Sequence, residues 1–186
     1  YTVTMAAELL DSFSDSPYLS RSILYTTPLP LEQEMEIATI TDPAFDDEGK
    51  RKIYVIAQQH SGETLSSFVA EGMIRFLLDE AEPQAESMRR SCIFKIILAA
   101  NPDGVFLGIS RYTPFRDATQ YELNRQWNLD VGDMQPETSM IYEDIQAWQP
   151  DIFFDLHTDI QSPGNFFLHD GLTDAEMNSL LASIAT

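Results

Sequence analysis

The stretch IYVIAQQHSGET, residues 53–64, carries the pattern that decides the fold. Its first part, residues 53–57, is a continuous apolar run, which is typical of a strand buried on both faces of a sheet. His60 and Glu63 come three and six residues after the end of that run, and from Thr64 the apolar period becomes that of a helix. A buried strand that passes through polar residues into a helix predicts an α/β layered fold. In such a fold, ligands bind beyond the carboxyl ends of the strands, where these polar residues lie.

The helix that begins at Thr64 has apolar residues at helical spacing. The spacing i, i+3, i+4, i+7, i+8, i+11 and i+12 predicts that one face of this helix packs against the rest of the protein. The residues on that face are Leu65, Phe68, Val69, Gly72, Met73, Phe76 and Leu77. Pro83 comes soon after the pattern stops.

Strands and helices alternate along the rest of the chain. We expect strands at residues 22–25, 35–40, 92–98 and 152–156, and helices at residues 5–13, 137–148 and 173–184. In the helix at residues 137–148, Ile141, Ile145 and Trp148 share one face. This order predicts a three-layer α/β/α fold with a mixed, largely parallel sheet that is incomplete at its C-terminus. Residues 1–20 would form an N-terminal helix and linker, and residues 21–186 the main domain.

Composition excludes several classes of partner. With 186 residues, of which 44% are hydrophobic, the chain fits one globular domain. A net charge of −19 disfavours binding to nucleic acid or to an anionic membrane, and the apolar runs are too short to cross a bilayer. Cys92 is the only cysteine, so an internal disulfide and a zinc site built from thiolates are both excluded. Its apolar neighbours predict that Cys92 is a buried core residue.

Two of the three histidines follow predicted strands directly. His60 follows the strand at residues 53–57, and His157 follows the strand at residues 152–156. If these strands are parallel and close together, both imidazoles lie at one edge of the sheet, where Glu63 can join them. Two imidazoles and one carboxylate leave a fourth position open, which is the donor set of a catalytic zinc. His169 is an alternative ligand, and a structural role for any single histidine stays open at this point.

Five short motifs stand in a fixed order along the chain. They are QQHSGET at residues 58–64, NPDGV at 101–105, GISR at 108–111, LNRQW at 123–127 and FDLHT at 154–158. Together they resemble the zinc carboxypeptidase family, and more narrowly its cytosolic carboxypeptidase-like branch. Each motif is weak alone, but the ordered set is specific, and the resemblance spans roughly residues 53–159. It implies that residues 21–186 are part of the catalytic domain of such an enzyme.

The resemblance also implies a metal site and a reaction. His60, Glu63 and His157 would hold one zinc ion, which would activate a water for hydrolysis of the C-terminal peptide bond of a peptide or protein tail. Glu122 stands where the family usually has an aspartate, and its carboxylate would fix the tautomer of His60. The branch further implies a cytoplasmic location.

Two further roles concern the substrate. Asn124 and Arg125 would hold the terminal carboxylate of the substrate, because a guanidinium group matches a carboxylate in a bidentate way. Arg111 would stabilise the oxyanion that forms at the scissile carbonyl. Arg116 is the alternative for this role, because the stretch between Arg111 and Asn124 is longer than usual in this branch.

The general base and the exact reaction are less well determined by the sequence. In the family the base is a late glutamate, and the only glutamate after His157 is Glu176, which belongs to a helix capping box. We therefore expect the base beyond Thr186. The segment at residues 155–158 also resembles the succinylglutamate desuccinylase and aspartoacylase group of zinc amidohydrolases. The other alternative is a noncatalytic binding module on the same fold.

Overall fold

The computed structural model describes residues 1–113 and 121–158. The predictions for Arg116, His169, Glu176 and the helix at residues 173–184 lie outside the described residues. In the described part, none of the helices is long and apolar enough to cross a membrane. The helices and strands are α1 (Val3–Asp11), β1 (Leu19–Thr26), β2 (Glu34–Ile40), β3 (Arg51–Ala57), α2 (Thr64–Leu78), α3 (Pro83–Ser91), β4 (Cys92–Ile97), α4 (Pro102–Leu107), α5 (Pro136–Trp148) and β5 (Ile152–Leu156), with short 3₁₀ turns at Leu123–Arg125 and Val131–Asp133.

The described strands form one mixed sheet in the order β1-β2-β4-β3-β5. β1 and β2 pair antiparallel, as do β2 and β4. β3 pairs parallel with β4 on one side and with β5 on the other. Since β3 and β5 are parallel neighbours, the residues that follow them leave the sheet at the same edge.

Hydrophobic side chains cover both faces of the sheet. On one face, Val55 of β3 belongs to a cluster that includes Leu10 of α1 and Ile74 of α2. On the other face, Ile56 of β3 belongs to a cluster with Ile141 of α5. Because successive residues of a strand point to opposite faces, β3 contributes to both clusters. The expected three-layer α/β/α fold with a mixed sheet is therefore confirmed.

The buried face of α2 overlaps only partly with the face that the apolar spacing predicts: Leu77 is buried and Met73 packs against the core, as predicted. Leu65, Phe68 and Val69 are 63%, 48% and 55% exposed. The residues that α2 buries are Ser66, Ser67, Ala70, Ile74, Leu77 and Leu78. For Leu65, Phe68 and Val69 the prediction was wrong, because two serines face the strand ends. Ser66 Oγ accepts from the N–H of Gln58, and Ser67 Oγ lies 2.7 Å from the carbonyl oxygen of Leu98. Hydrogen bonds to the backbone set the rotation of this helix, and a hydrophobic pattern does not register them.

Other predictions need smaller corrections. β1 is longer than the strand expected at residues 22–25, and the helix α3 was not predicted. Its sequence, PQAESMRRS, carries no apolar stripe. The side chain of Glu82 caps its N-terminus, and Arg89 is buried. Cys92 is only partly buried, because it is the first residue of β4 and packs at the margin of the core. β5 is the edge strand of the described sheet, so Ile152 and Phe153 are exposed rather than buried.

Candidate metal centre

The chain turns sharply at the end of β3. Gln58 has a positive φ of 51°, a left-handed conformation that costs a residue with a β-carbon some free energy. Its side chain is fully buried and tied down at both ends: Nε2 donates to the carbonyl oxygen of Ser61 at 2.8 Å, and Oε1 lies 2.7 Å from Ser67 Oγ. This buried network holds the turn that leads from the strand into His60.

His60 and Glu63 lie side by side because the chain forms a tight turn between them. The N–H of Glu63 donates to the carbonyl oxygen of His60 at 3.0 Å, and Glu63 is the residue that precedes the first turn of α2. Nδ1 of His60 lies 2.7 Å from Oε1 of Glu63. The spacing of three residues, which is common by chance, here places an imidazole and a carboxylate in direct contact.

His157 reaches the same carboxylate from β5. Its Nδ1 lies 2.9 Å from Oε2 of Glu63, and the N–H of Thr158 donates to that oxygen at 2.8 Å. The ring centroids of His60 and His157 are 4.8 Å apart. The structure thus brings together the three residues that the resemblance implies as metal ligands.

The three side chains fit a zinc ion. One ligand atom from each of His60, Glu63 and His157 lies within 4.8 Å of the others. Two imidazole nitrogens and one carboxylate form the set used by catalytic zinc sites, which keep a coordination position for a small ligand. The side chains of Glu63 and His157 are 20% and 29% exposed, so a ligand could reach the site from solvent.

A second carboxylate lies on the outer nitrogen of each imidazole. Nε2 of His60 lies 3.0 Å from Oε1 of Glu122, and Nε2 of His157 lies 2.9 Å from Oδ2 of Asp155. Outer carboxylates of this kind fix the tautomer and orientation of metal-binding histidines. Glu122 thus lies against His60, the histidine with which the resemblance pairs it, whereas the contact of Asp155 with His157 was not predicted from the sequence. The signal was present, because residues two apart on a strand point to the same face.

The ionisable groups of the site influence one another strongly. Burial raises the pKa of Glu63, but hydrogen bonds from His157, His60 and the N–H of Thr158 outweigh it and hold that pKa well below its usual range. Burial lowers the pKa of His157, but hydrogen bonds to Asp155 and Glu63 raise it to about 9. The site therefore attracts positive charge, as a cation-binding site must.

Arg111 lies beside the metal centre through its contact with Glu122. Its Nη2 donates to Oε1 of Glu122 at 2.6 Å, the same oxygen that lies near Nε2 of His60. Burial raises the pKa of Glu122, but the hydrogen bonds from Arg111 and His60 lower it overall. One carboxylate oxygen thus joins a predicted metal ligand to the arginine that the resemblance implies as the oxyanion partner.

Asn124 and Arg125 stand on the 3₁₀ turn Leu123–Arg125, which the buried side chain of Leu123 anchors. Nδ2 of Asn124 lies 3.3 Å from Nε2 of His157. Nη1 of Arg125 donates to the carbonyl oxygen of Asn124 at 3.1 Å, and its side chain is 65% exposed. Both residues are at the margin of the metal centre. The guanidinium of Arg125 is largely exposed, and its Nη1 lies 3.6 Å from Oε1 of Glu122.

Comparison with known proteins gives consistent matches. The zinc carboxypeptidase family matches residues 31–163, which is more than half of the chain. Cytosolic carboxypeptidase 6 of Caenorhabditis elegans is 33% identical over 159 residues, which cover 82% of this chain and 33% of that protein. Cytosolic carboxypeptidase 6 of Mus musculus is 36% identical over 131 residues, which cover 68% of this chain and 23% of that protein. The chain thus spans a third or less of the length of these relatives.

Solved structures agree with the sequence matches. The metallo-carboxypeptidase of Burkholderia cenocepacia superposes with a TM-score of 0.74 at 28% identity, over 85% of this chain and 40% of that one. The metallo-carboxypeptidase of Pseudomonas aeruginosa superposes with a TM-score of 0.71 at 24% identity, over 88% of this chain and 41% of that one. The second match concerns the fold alone.

Proposed function

The chain belongs to the zinc carboxypeptidase family, and from this premise we propose that it supplies the metal site and the carboxylate-binding site of a zinc-dependent metallocarboxypeptidase. The substrate would be the C-terminal end of a peptide or of a protein tail. One observation carries the proposal: His60, Glu63 and His157 converge while a further carboxylate lies on the outer nitrogen of each imidazole. The chain spans a third or less of the length of the relatives described above. The complete reaction is therefore proposed for the whole protein and not for these residues alone.

The proposed metal ligands are Nδ1 of His60, Nδ1 of His157 and the carboxylate of Glu63. When bound, zinc would lower the pKa of a coordinated water and polarise the scissile carbonyl. The protein's own contribution is to hold the three donors close together at a fixed spacing. The tight turn between His60 and Glu63 and the strand β5 before His157 provide that spacing.

The proposed substrate contacts follow from exposure and charge. Arg125 presents a largely exposed guanidinium, which can bind the terminal carboxylate of a peptide through two parallel hydrogen bonds. Asn124, adjacent to it in the chain, would direct its amide to the same carboxylate. Arg111 would stabilise negative charge on the carbonyl oxygen of the cleaved bond, and Glu122 would keep its side chain directed toward the metal centre.

The alternative of a desuccinylase-type amidohydrolase is less well supported. That group would share the metal donors but would cleave N-acyl amino acids instead of peptides. The relatives and structures described above are named carboxypeptidases. The cytosolic carboxypeptidases among them also carry a location in their names, and we infer a cytoplasmic location for this protein on that ground.

The decisive experiment compares pairs of peptides that differ only in their C-terminus. The zinc-loaded protein that contains this chain should hydrolyse peptides with a free terminal carboxylate and leave the matched C-terminal amides intact. Removal of zinc with a chelator should abolish hydrolysis, and zinc should restore it. Equal rates on the two kinds of peptide would reject the carboxylate-binding role of Arg125. Turnover of N-acyl amino acids without peptide trimming would reject the peptidase.

A further inference from the structure

We propose that Asp155 is a positioning residue that holds His157 with Nδ1 directed at the metal position. This inference rests on the proposed metal site, but not on the identity of the substrate. The backbone of Asp155 is fixed by the sheet, since it stands opposite the fully buried Ile56 in the parallel pairing of β5 with β3. His157 lies two residues further along, just beyond the end of β5 at Leu156. A carboxylate on a paired strand is a more rigid support for an imidazole than one on a loop.

The contacts around His157 determine which way its ring is held. Nε2 lies 2.9 Å from Oδ2 of Asp155 and 3.3 Å from Nδ2 of Asn124. The amide nitrogen of Asn124 can only donate, whereas the carboxylate oxygen of Asp155 can only accept. A proton on Nε2 therefore goes to Asp155, which is also the nearer of the two. The lone pair that remains for a metal is then on Nδ1, the nitrogen 2.9 Å from Glu63.

The described contacts of Asp155 are concentrated on His157. Oδ1 is buried, and among the described residues it has no hydrogen-bond partner. The contact that this carboxylate does make is with a predicted metal ligand, and this contact gives a reason for its presence.

The arrangement repeats that of the other histidine. Both imidazoles direct Nδ1 at Glu63 and Nε2 at an outer carboxylate, which is Glu122 for His60 and Asp155 for His157. The two carboxylates come from different parts of the chain: Glu122 directly precedes the 3₁₀ turn Leu123–Arg125, and Asp155 lies on β5. Two unrelated elements thus produce the same orientation of both rings, as expected if that orientation is needed for metal binding.

The test is the zinc affinity of Asp155→Asn and Asp155→Ala, measured by competition with a chelator. Loss of an outer partner of a metal-binding histidine weakens metal binding roughly 10- to 100-fold. The matched control is Asp151→Asn at the other end of β5, where the carboxylate instead accepts from Arg51 and from the N–H of Lys52. This control should bind zinc with the affinity of the unchanged protein.

A spectroscopic measurement separates positioning from loss of folding. Cobalt(II) placed in the zinc site reports the ligand geometry through its visible absorption bands. These bands should shift in Asp155→Asn but not in Asp151→Asn, while circular dichroism shows both variants folded. Unchanged zinc affinity and unchanged cobalt bands in both Asp155 variants would overturn the proposal.

The outcomes also separate this inference from the proposed function. If Asp155→Asn weakens zinc binding while the unchanged protein cleaves no peptide, the inference stands and the proposed function fails. If the unchanged protein cleaves peptides and Asp155→Asn binds zinc normally, the proposed function stands and the inference fails. A protein that binds no zinc at all would refute both.

Discussion

The backbone N–H of Gly62 donates to the carbonyl oxygen of Ser110 at 2.7 Å. The neighbouring hydroxyl of Ser61 donates to the carbonyl oxygen of Ile109. These two hydrogen bonds join the turn that carries His60 and Glu63 to the segment that ends in Arg111. The proposed metal ligands and the proposed oxyanion arginine therefore form one connected unit, although they are far apart in the sequence.

Gly62→Ala should destabilise the protein and disturb this unit. A β-carbon on Gly62 would lie 2.8 Å from the carbonyl oxygen of Ser110 and 3.1 Å from its Cα. These are backbone atoms that cannot turn away, so we expect a loss of ~1–3 kcal/mol in the free energy of unfolding and a fall in kcat. Denaturant unfolding and steady-state kinetics measure the two effects.

The control for this prediction is Gly72→Ala in α2. A β-carbon there would meet nothing within 4 Å, and alanine favours a helix interior over glycine by about 0.5–1 kcal/mol. Gly72→Ala should thus be neutral or stabilising. If Gly62→Ala behaved like Gly72→Ala, the close approach to Ser110 would have no energetic importance.

Arg125→Ala should weaken the reaction with peptides that end in a free carboxylate. A hydrogen bond to a charged group contributes about 1.5–3 kcal/mol, so kcat/KM should fall roughly 10- to 150-fold. The side chain is 65% exposed, so the free energy of unfolding should change little. The matched control is Arg51→Ala, which removes another exposed arginine at the start of β3, the end that is away from the metal centre. A similar kcat/KM for both variants would contradict the assignment of Arg125.

Zinc affinity should rise with pH. In the metal-free protein, burial lowers the pKa of His157, but hydrogen bonds to Asp155 and Glu63 raise it to about 9. Zinc binds the unprotonated nitrogen, so below that pKa the ion must displace a proton. The apparent affinity should increase about tenfold per pH unit through the neutral range and level off above about pH 9. Calorimetry in buffers of different ionisation enthalpy measures the released proton.

The stability of the metal-free protein should follow the opposite trend. The pKa of His157 is raised in the folded state from its ordinary value of 6.5. Its contribution to the free energy of unfolding is complete below about pH 6.5 and is lost as the pH rises through about 9.

For the prediction on zinc binding, an affinity that did not change with pH would show that His157 carries no proton in the protein without zinc.

Two alanine substitutions in α2 test the rotation of this helix. Ile74 is fully buried against the sheet, so Ile74→Ala should lower the free energy of unfolding by ~2–5 kcal/mol. Leu65 is 63% exposed, so Leu65→Ala should change it by no more than about 0.5 kcal/mol. Denaturant unfolding compares the two variants. A larger loss of unfolding free energy for Leu65→Ala than for Ile74→Ala would instead support burial of the face that the apolar spacing predicts.

Local patterns in the sequence were enough for the fold class and for two histidines placed just after strands, whereas the full set of candidate metal ligands came from the resemblance of the five ordered motifs. The continuous apolar run at residues 53–57 predicted the buried strand β3. β5 was also found at the expected position, although Ile152 and Phe153 at its start are exposed. His60 and His157 follow these strands directly, so their proximity needed only one further condition, that β3 and β5 are parallel neighbours. The end of a strand can be predicted from the local sequence, and the ends of parallel neighbouring strands lie at the same edge of the sheet.

The tertiary structure alone decided which face of α2 is buried, that Asp155 contacts His157, and how Arg111 reaches the site. The rotation of α2 depends on Ser66 and Ser67 meeting the ends of two strands, and Arg111 is joined to His60 through one oxygen of Glu122. Periodicity records how often apolar residues recur along one element. A hydrogen bond between distant residues depends on their positions in space, which are set only when the whole sheet and its helices pack together.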